Sequence, residues 1–102
     1  MNIKFEYLYR DAGNNKNWGE IIFTNKKNRN INVIDQAIRK ILIEKEFFSV
    51  NNLNIPDLHF TEHDIDLDHD WHEYHSVSET TNEPTDKLNR DIADFIKSLN
   101  HY

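Results

Sequence analysis

The chain contains no cysteine among its 102 residues. Disulfide bonds, thiolate-bound zinc and iron–sulfur clusters are therefore excluded, and so is a small secreted fold held together by disulfides. A cytoplasmic location is the default expectation for a chain of this kind.

Long hydrophobic runs are missing as well. Residues 1–6 lack the apolar stretch of a signal peptide, and no run approaches the roughly 20 apolar residues of a membrane span. The sequence therefore predicts a soluble protein that does not act in a membrane.

Lysine and arginine are absent from residues 57–73, which we call the acidic segment. The segment carries a charge of about −7, whereas the whole chain carries −6, so the remaining residues are close to neutral. Four histidines are interleaved with its carboxylates. The charged and histidine residues are Asp57, His59, Glu62, His63, Asp64, Asp66, Asp68, His69, Asp70, His72 and Glu73.

Composition and length predict one folded domain spanning residues 1–102. Twelve aromatic residues, the sum of two Trp, four Tyr and six Phe, are too many for a disordered chain. A chain of this length buries about 60 to 70% of its unfolded surface, which supports a modest core and leaves no room for a second domain.

Period-two alternation predicts two strands near the N-terminus. Residues 3–9 alternate apolar and polar side chains, and residues 18–24 are rich in aromatic and β-branched types. Turn-forming residues 11–17 join them into a hairpin. From Ile31 the apolar spacing becomes that of a helix of about 13 residues, with Asn30 or Asn32 as its N-cap.

The second half of the chain predicts a short strand at residues 58–61, after a strand start or ordered connection at 47–50. A longer strand over residues 70–78 places His72 and Tyr74 on one face, and Glu73 and Val77 on the other. Pro84 suits the first position of a second amphipathic helix that ends near residue 99. The order β-β-α-β-β-α predicts an α+β domain, an antiparallel sheet of about four strands with both helices on one face.

The acidic segment is the candidate site for binding a partner. Carboxylate-rich surfaces steer encounters with basic proteins and can occupy a site meant for phosphate. The first hypothesis is therefore an interaction domain that docks a basic partner, as an inhibitor, immunity factor or nucleic-acid mimic would. The same charge disfavours nucleic-acid binding, which depends on Lys and Arg. The predicted docking residues are Glu62, Asp64, Asp66, Asp68 and Asp70.

A metal site is the alternative hypothesis for the same segment. Neutral imidazole and carboxylate bind zinc or manganese without a thiolate, and His59, Asp70 and His72, with Asp68 or Glu73, could converge in that way. Such a site could serve a hydrolase, although nothing in the sequence identifies a nucleophile. The plainer interpretation, a solvated acidic loop with partly buried histidines, stays open beside both hypotheses.

Two further features allow functional interpretations. Four residues around the first hairpin loop either close the loop through their polar side chains or form the rim of a pocket. They are Arg10, Asn14, Lys16 and Trp18. Gly13 and Gly19, the only glycines, are expected to shape the backbone of that loop. Surplus aromatics, namely Phe47, Phe48 and Trp71, allow a self-association patch and hence a homodimer.

Three stretches carry a family resemblance. Residues 9–20 (YRDAGNNKNWGE), 55–60 (IPDLHF) and 68–74 (DHDWHEY) resemble a group of small, uncharacterised bacterial proteins over most of the chain. The resemblance implies a compact bacterial domain and transfers no activity, cofactor or site residue.

Overall fold

The computed structural model describes residues 1–61 and 69–100. Within them the elements are β1 (Asn2–Arg10), β2 (Lys16–Phe23), α1 (Ile31–Ile41), β3 (Phe47–Phe48), β4 (His72–Thr80) and α2 (Ile92–Leu99). The strands form one antiparallel sheet in the order β2-β1-β4-β3. The predicted α+β class and element order are confirmed.

The strand β1 lies at the centre of the fold, between β2 and β4. Because successive side chains of a strand point to opposite faces, Ile3, Phe5, Tyr7 and Tyr9 share one face, and all four are fully buried. The core grows around Phe5, and its ring contacts those of Tyr7, Phe23, Phe48, Tyr74 and Phe95.

Both helices pack on this face of the sheet, as the sequence predicts. In α1, Ile34 and Ile38 are buried, and the side chain of Asp35 accepts a 2.6 Å hydrogen bond from the Tyr74 hydroxyl on β4. In α2, the ring of Phe95 stacks on that of Phe23 at 4.5 Å. Of the two N-caps that the sequence allows for α1, Asn30 is the one used, because its side chain accepts a hydrogen bond from the backbone N–H of Asn32.

The second helix begins later than the sequence predicts, at Ile92 rather than Pro84. Asp91 is its N-cap and accepts a backbone hydrogen bond from the first turn. Asp86 forms a nearly buried ion pair with Arg90 at 2.9 Å. This ion pair closes a turn immediately before α2. The helix-like spacing of apolar residues in the sequence therefore begins in this turn, upstream of the helix itself.

The predicted strand at residues 58–61 is wrong. These residues are irregular, and the two-residue strand β3 at Phe47–Phe48 supplies the fourth strand. In β4, His72 and Tyr74 share one face as expected, and both are buried. The pairing of β4 with β1 shifts between Glu6 and Tyr7. Such a bulge reverses the alternation, so Val77 also packs against the core, contrary to the predicted face.

The aromatic surplus is used mainly inside the fold. Phe48 is fully buried and cannot line a self-association patch, whereas 41% of Trp71 is exposed. Among the residues that the structure describes, no helix has the length and apolar character needed to cross a membrane.

Candidate functional site

The two described flanks of the acidic segment lie side by side against the sheet. The backbone N–H of Leu58 donates a 3.0 Å hydrogen bond to Nε2 of His72, at the start of β4. The Tyr9 hydroxyl donates a 2.6 Å hydrogen bond to the carbonyl oxygen of His69. On the other strand of the first hairpin, the Asn17 side chain donates to the Leu58 carbonyl at 3.0 Å. Residues of three strands therefore hold both ends of the segment in place.

His72 lies at the buried centre of this arrangement. Its side chain has no exposed surface, and its ring packs near those of Tyr7, Tyr9 and His59. Burial lowers the pKa of His72 to about 4, and the neighbouring His59 adds to the lowering. Because Nε2 accepts the Leu58 N–H, the neutral ring carries its proton on Nδ1. His72 is therefore a neutral structural residue at pH 7.

Asp57 is a carboxylate that contacts both histidines. Its Oδ1 lies 2.7 Å from Nδ1 of His59 and 3.6 Å from Nε2 of His72, and it also accepts the His59 backbone N–H at 2.9 Å. Partial burial would raise the pKa of Asp57. The hydrogen bonds and charge of His59 lower it by more, so the Asp57 pKa lies below its ordinary value.

The predicted metal ligands come partly together. His59 and His72 pack with their ring centroids 5.0 Å apart, and Nε2 of His59 lies 4.0 Å from Oδ1 of Asp70. Glu73, the alternative ligand, points to the opposite face of the sheet and pairs with Arg10 at 2.9 Å. Across residues 1–61 and 69–100, no group of three or more histidine or carboxylate side chains has a geometry that could hold a metal ion.

The predicted docking residues divide into two sets. The side chain of Asp70 is 85% exposed, at the end of the anchored flank that leads into β4. The other four docking residues lie outside the described residues, and they are Glu62, Asp64, Asp66 and Asp68. Asp68 is also one of the predicted metal ligands.

The four predicted rim residues take different positions. Arg10 links the first hairpin to β4, because it donates two hydrogen bonds to Glu73, at 2.9 and 3.2 Å, and one to Asn14. Trp18 is half exposed on the face opposite the helices, where its ring meets His75 edge-on. Lys16 lines a separate depression, together with Asp11, Asn15, Phe60 and Thr61.

Sequence reasoning missed three contributors to the site. Ser49 and Asn51 line an open depression of about 420 Å³ together with His69, Asp70 and Trp71. They come from the connection after β3, and no spacing in the sequence relates them to residues 69–71. Asp57 was noted only for its charge, although its position two residues before His59 was a usable signal for their contact.

Comparisons with known proteins give no match. No protein-family model, no curated protein and no solved structure matches this chain.

Proposed function

We propose that the chain is a protein-interaction domain whose acidic segment binds a basic partner protein, in the manner of an inhibitor, immunity factor or nucleic-acid mimic. The observation that carries this proposal is the 85% exposure of the Asp70 side chain where the segment joins β4. Asp57, at the other end, is 56% exposed. Exposed carboxylates carry negative charge, which raises the rate of encounter with a basic protein.

The anchoring of the segment supports the same proposal. The Leu58–His72 and Tyr9–His69 hydrogen bonds fix both flanks against the sheet before any partner arrives. Flanks that are already ordered lose less conformational entropy on binding, so more of the energy of their contacts appears as affinity.

Reversing charges inside the segment tests the proposal. The probe is a capped peptide, Gly-Lys-Gly-Arg-Gly-Lys-Gly, titrated calorimetrically at low ionic strength, where surface charges are least screened. The double variant Asp66→Lys with Asp68→Lys should bind it on the order of tenfold more weakly than the unmodified chain, because two attractive charges become repulsive.

A matched control separates a local site from net charge. Glu79→Lys with Glu83→Lys changes the net charge equally, at two exposed positions outside the segment, and should retain most of the affinity. Equal losses in both double variants, or no binding of the peptide by the unmodified chain, would contradict the proposal.

A divalent metal site, holding zinc or manganese, is the second candidate function. The observation that favours it is the 4.0 Å distance from Nε2 of His59 to Oδ1 of Asp70. Zinc binds each nitrogen or oxygen ligand at about 2.0 to 2.2 Å in tetrahedral geometry, so two ligand atoms of one ion lie roughly 3.4 Å apart, and these two side chains would have to approach each other by about 0.6 Å. His59 and Asp70 would be two of its ligands.

Metal analysis separates the two candidates. If the site exists, protein purified without a histidine tag should contain about one metal ion per chain by mass spectrometry, and a chelator should lower its melting temperature, since a bound metal stabilises the folded state. The Asp70→Asn variant should lose both the metal and the effect, whereas His75→Gln should keep them. Metal-free protein that is indifferent to chelator would eliminate this candidate.

A further inference from the structure

The depression beside the acidic segment has a distinctive chemical lining. Its described lining consists of Asp70, Trp71 and His69 together with the polar residues Ser49 and Asn51. The carboxylate is 85% exposed and Trp71 is 41% exposed. A carboxylate and a large aromatic surface are therefore presented together to solvent.

The lining is held in place by local hydrogen bonds. The backbone N–H of Trp71 donates to Nδ1 of His69 at 3.1 Å, and the backbone N–H of Asn51 donates to the Ser49 hydroxyl at 3.2 Å. The Tyr9 hydroxyl also holds the His69 carbonyl. Residues from two separate stretches of chain thus form the two sides of the depression.

We propose that this depression, which we call the arginine pocket, receives an arginine side chain of the basic partner; the inference rests on the proposed function. A planar guanidinium can stack on the Trp71 indole while donating paired hydrogen bonds to the Asp70 carboxylate. Lysine fits less well, because its ammonium is more strongly hydrated and has no flat surface for stacking.

Charge and polarity favour this occupant over others. Among the described residues that line the pocket, Asp70 is the one carboxylate, and its negative charge repels an anion. An apolar ligand would remove solvent from the polar groups of Asp70, Asn51 and Ser49 without offering them a hydrogen bond. A planar cation can contact both the indole of Trp71 and the carboxylate of Asp70.

Fluorescence of Trp71 provides a site-specific test. The chain has two tryptophans, so Trp18→Phe leaves Trp71 as the sole indole. The protein is titrated with the peptide Gly-Lys-Gly-Arg-Gly-Lys-Gly and, separately, with two peptides that carry lysine or citrulline in place of the arginine. Chelator is present in every titration. We expect a saturable change in Trp71 emission, about fivefold weaker binding of the lysine peptide, and on the order of tenfold weaker binding of the citrulline peptide.

Two neutralising variants complete the test. Asp70→Asn should weaken binding of the arginine peptide on the order of tenfold and remove most of the preference for arginine over lysine. Glu83→Gln, an equal charge change at an exposed position away from the pocket, should alter neither. Calorimetry with tryptophan retained at position 18 repeats the comparison without the Trp18→Phe change.

The outcomes distinguish the pocket from the proposed function. Peptide binding that leaves Trp71 emission unchanged, or equal affinity for arginine and lysine peptides, would overturn the pocket while the acidic docking surface stands. If none of the peptides binds, the docking surface fails, and the pocket fails with it.

Discussion

At the scale of single residues, asparagine takes the conformational role that glycine has in most proteins. Neither Gly13 nor Gly19 has a positive φ, so neither contributes a left-handed backbone conformation to the hairpin loop. Among the residues that the structure describes, the left-handed positions are occupied by Glu44, Lys45 and a set of asparagines. Asparagine tolerates this conformation better than most residues. The asparagines are Asn14, Asn28, Asn52, Asn54 and Asn89, with φ between 47 and 66°.

His72 makes the stability of the fold depend on pH. Its pKa is about 4 in the folded chain, and its ordinary value of 6.5 applies when the chain is unfolded. Between these values the unfolded state binds more protons than the folded state, so the free energy of unfolding falls as pH falls from about 6.5 towards 4. From pH 7 to pH 5, this one group should account for a loss of about 2 kcal/mol.

The variant His72→Gln should remove that contribution, because glutamine can accept the Leu58 N–H but does not titrate. Urea unfolding at pH 7 and pH 5 measures the loss of stability in each protein. We expect the loss to be about 2 kcal/mol smaller in His72→Gln than in the unmodified chain. The exposed His75 is the control, and His75→Gln should leave the pH dependence unchanged. An unchanged pH dependence in His72→Gln would show that His72 is not held neutral.

At the scale of elements, local signals succeed where the chain forms its own contacts. In α1, both the N-cap and the buried face are determined by residues close together in the sequence. The capping role of Asn30 and the burial of Ile34 and Ile38 were therefore predictable. The start of α2 was not. Asp86 could serve either a helix start or an ion pair, and only the folded chain shows that it pairs with Arg90.

The strand expected at residues 58–61 failed for a related reason. Its alternating pattern is real, but a strand needs a neighbouring strand with which to pair. Leu58 instead donates its backbone N–H to the side chain of His72 and its carbonyl accepts from Asn17. Both partners are distant in sequence, so no local pattern could reveal that the backbone hydrogen bonds go to side chains.

At the scale of the whole molecule, composition located the candidate region but not its architecture. The charge of the acidic segment is visible in the sequence, and so are its histidines. The assembly of the arginine pocket is not, because Ser49 and Asn51 reach Trp71 only through the pairing of β3 with β4. Long-range pairing also brings Arg10 to Glu73, so Glu73 is not a free charge of the acidic segment.

Packing between the first hairpin and the acidic segment also acts over the whole fold. Gly19 pairs with Tyr7 in the sheet, and Leu58 lies directly over it. A Cβ atom at position 19 would lie 3.0 and 3.1 Å from the two terminal carbons of Leu58, and 3.2 Å from the Tyr7 ring. Gly19 is therefore required for close packing rather than for an unusual φ.

A double-mutant cycle tests this long-range contact. Gly19→Val should destabilise the fold by about 1 to 3 kcal/mol, because the added side chain overpacks the site. In a Leu58→Ala background the space beside position 19 is empty, and valine is a favourable residue in a strand. Gly19→Val should therefore lower the free energy of unfolding by less than about 1 kcal/mol in that background. Urea unfolding of the four proteins gives the coupling, and Gly13→Val is a control, since a Cβ there meets only the polar side chains of Asn15 and Asp11. Additive effects of the two changes would mean that Leu58 does not pack on Gly19, and the anchoring of the acidic segment would then depend on its hydrogen bonds alone.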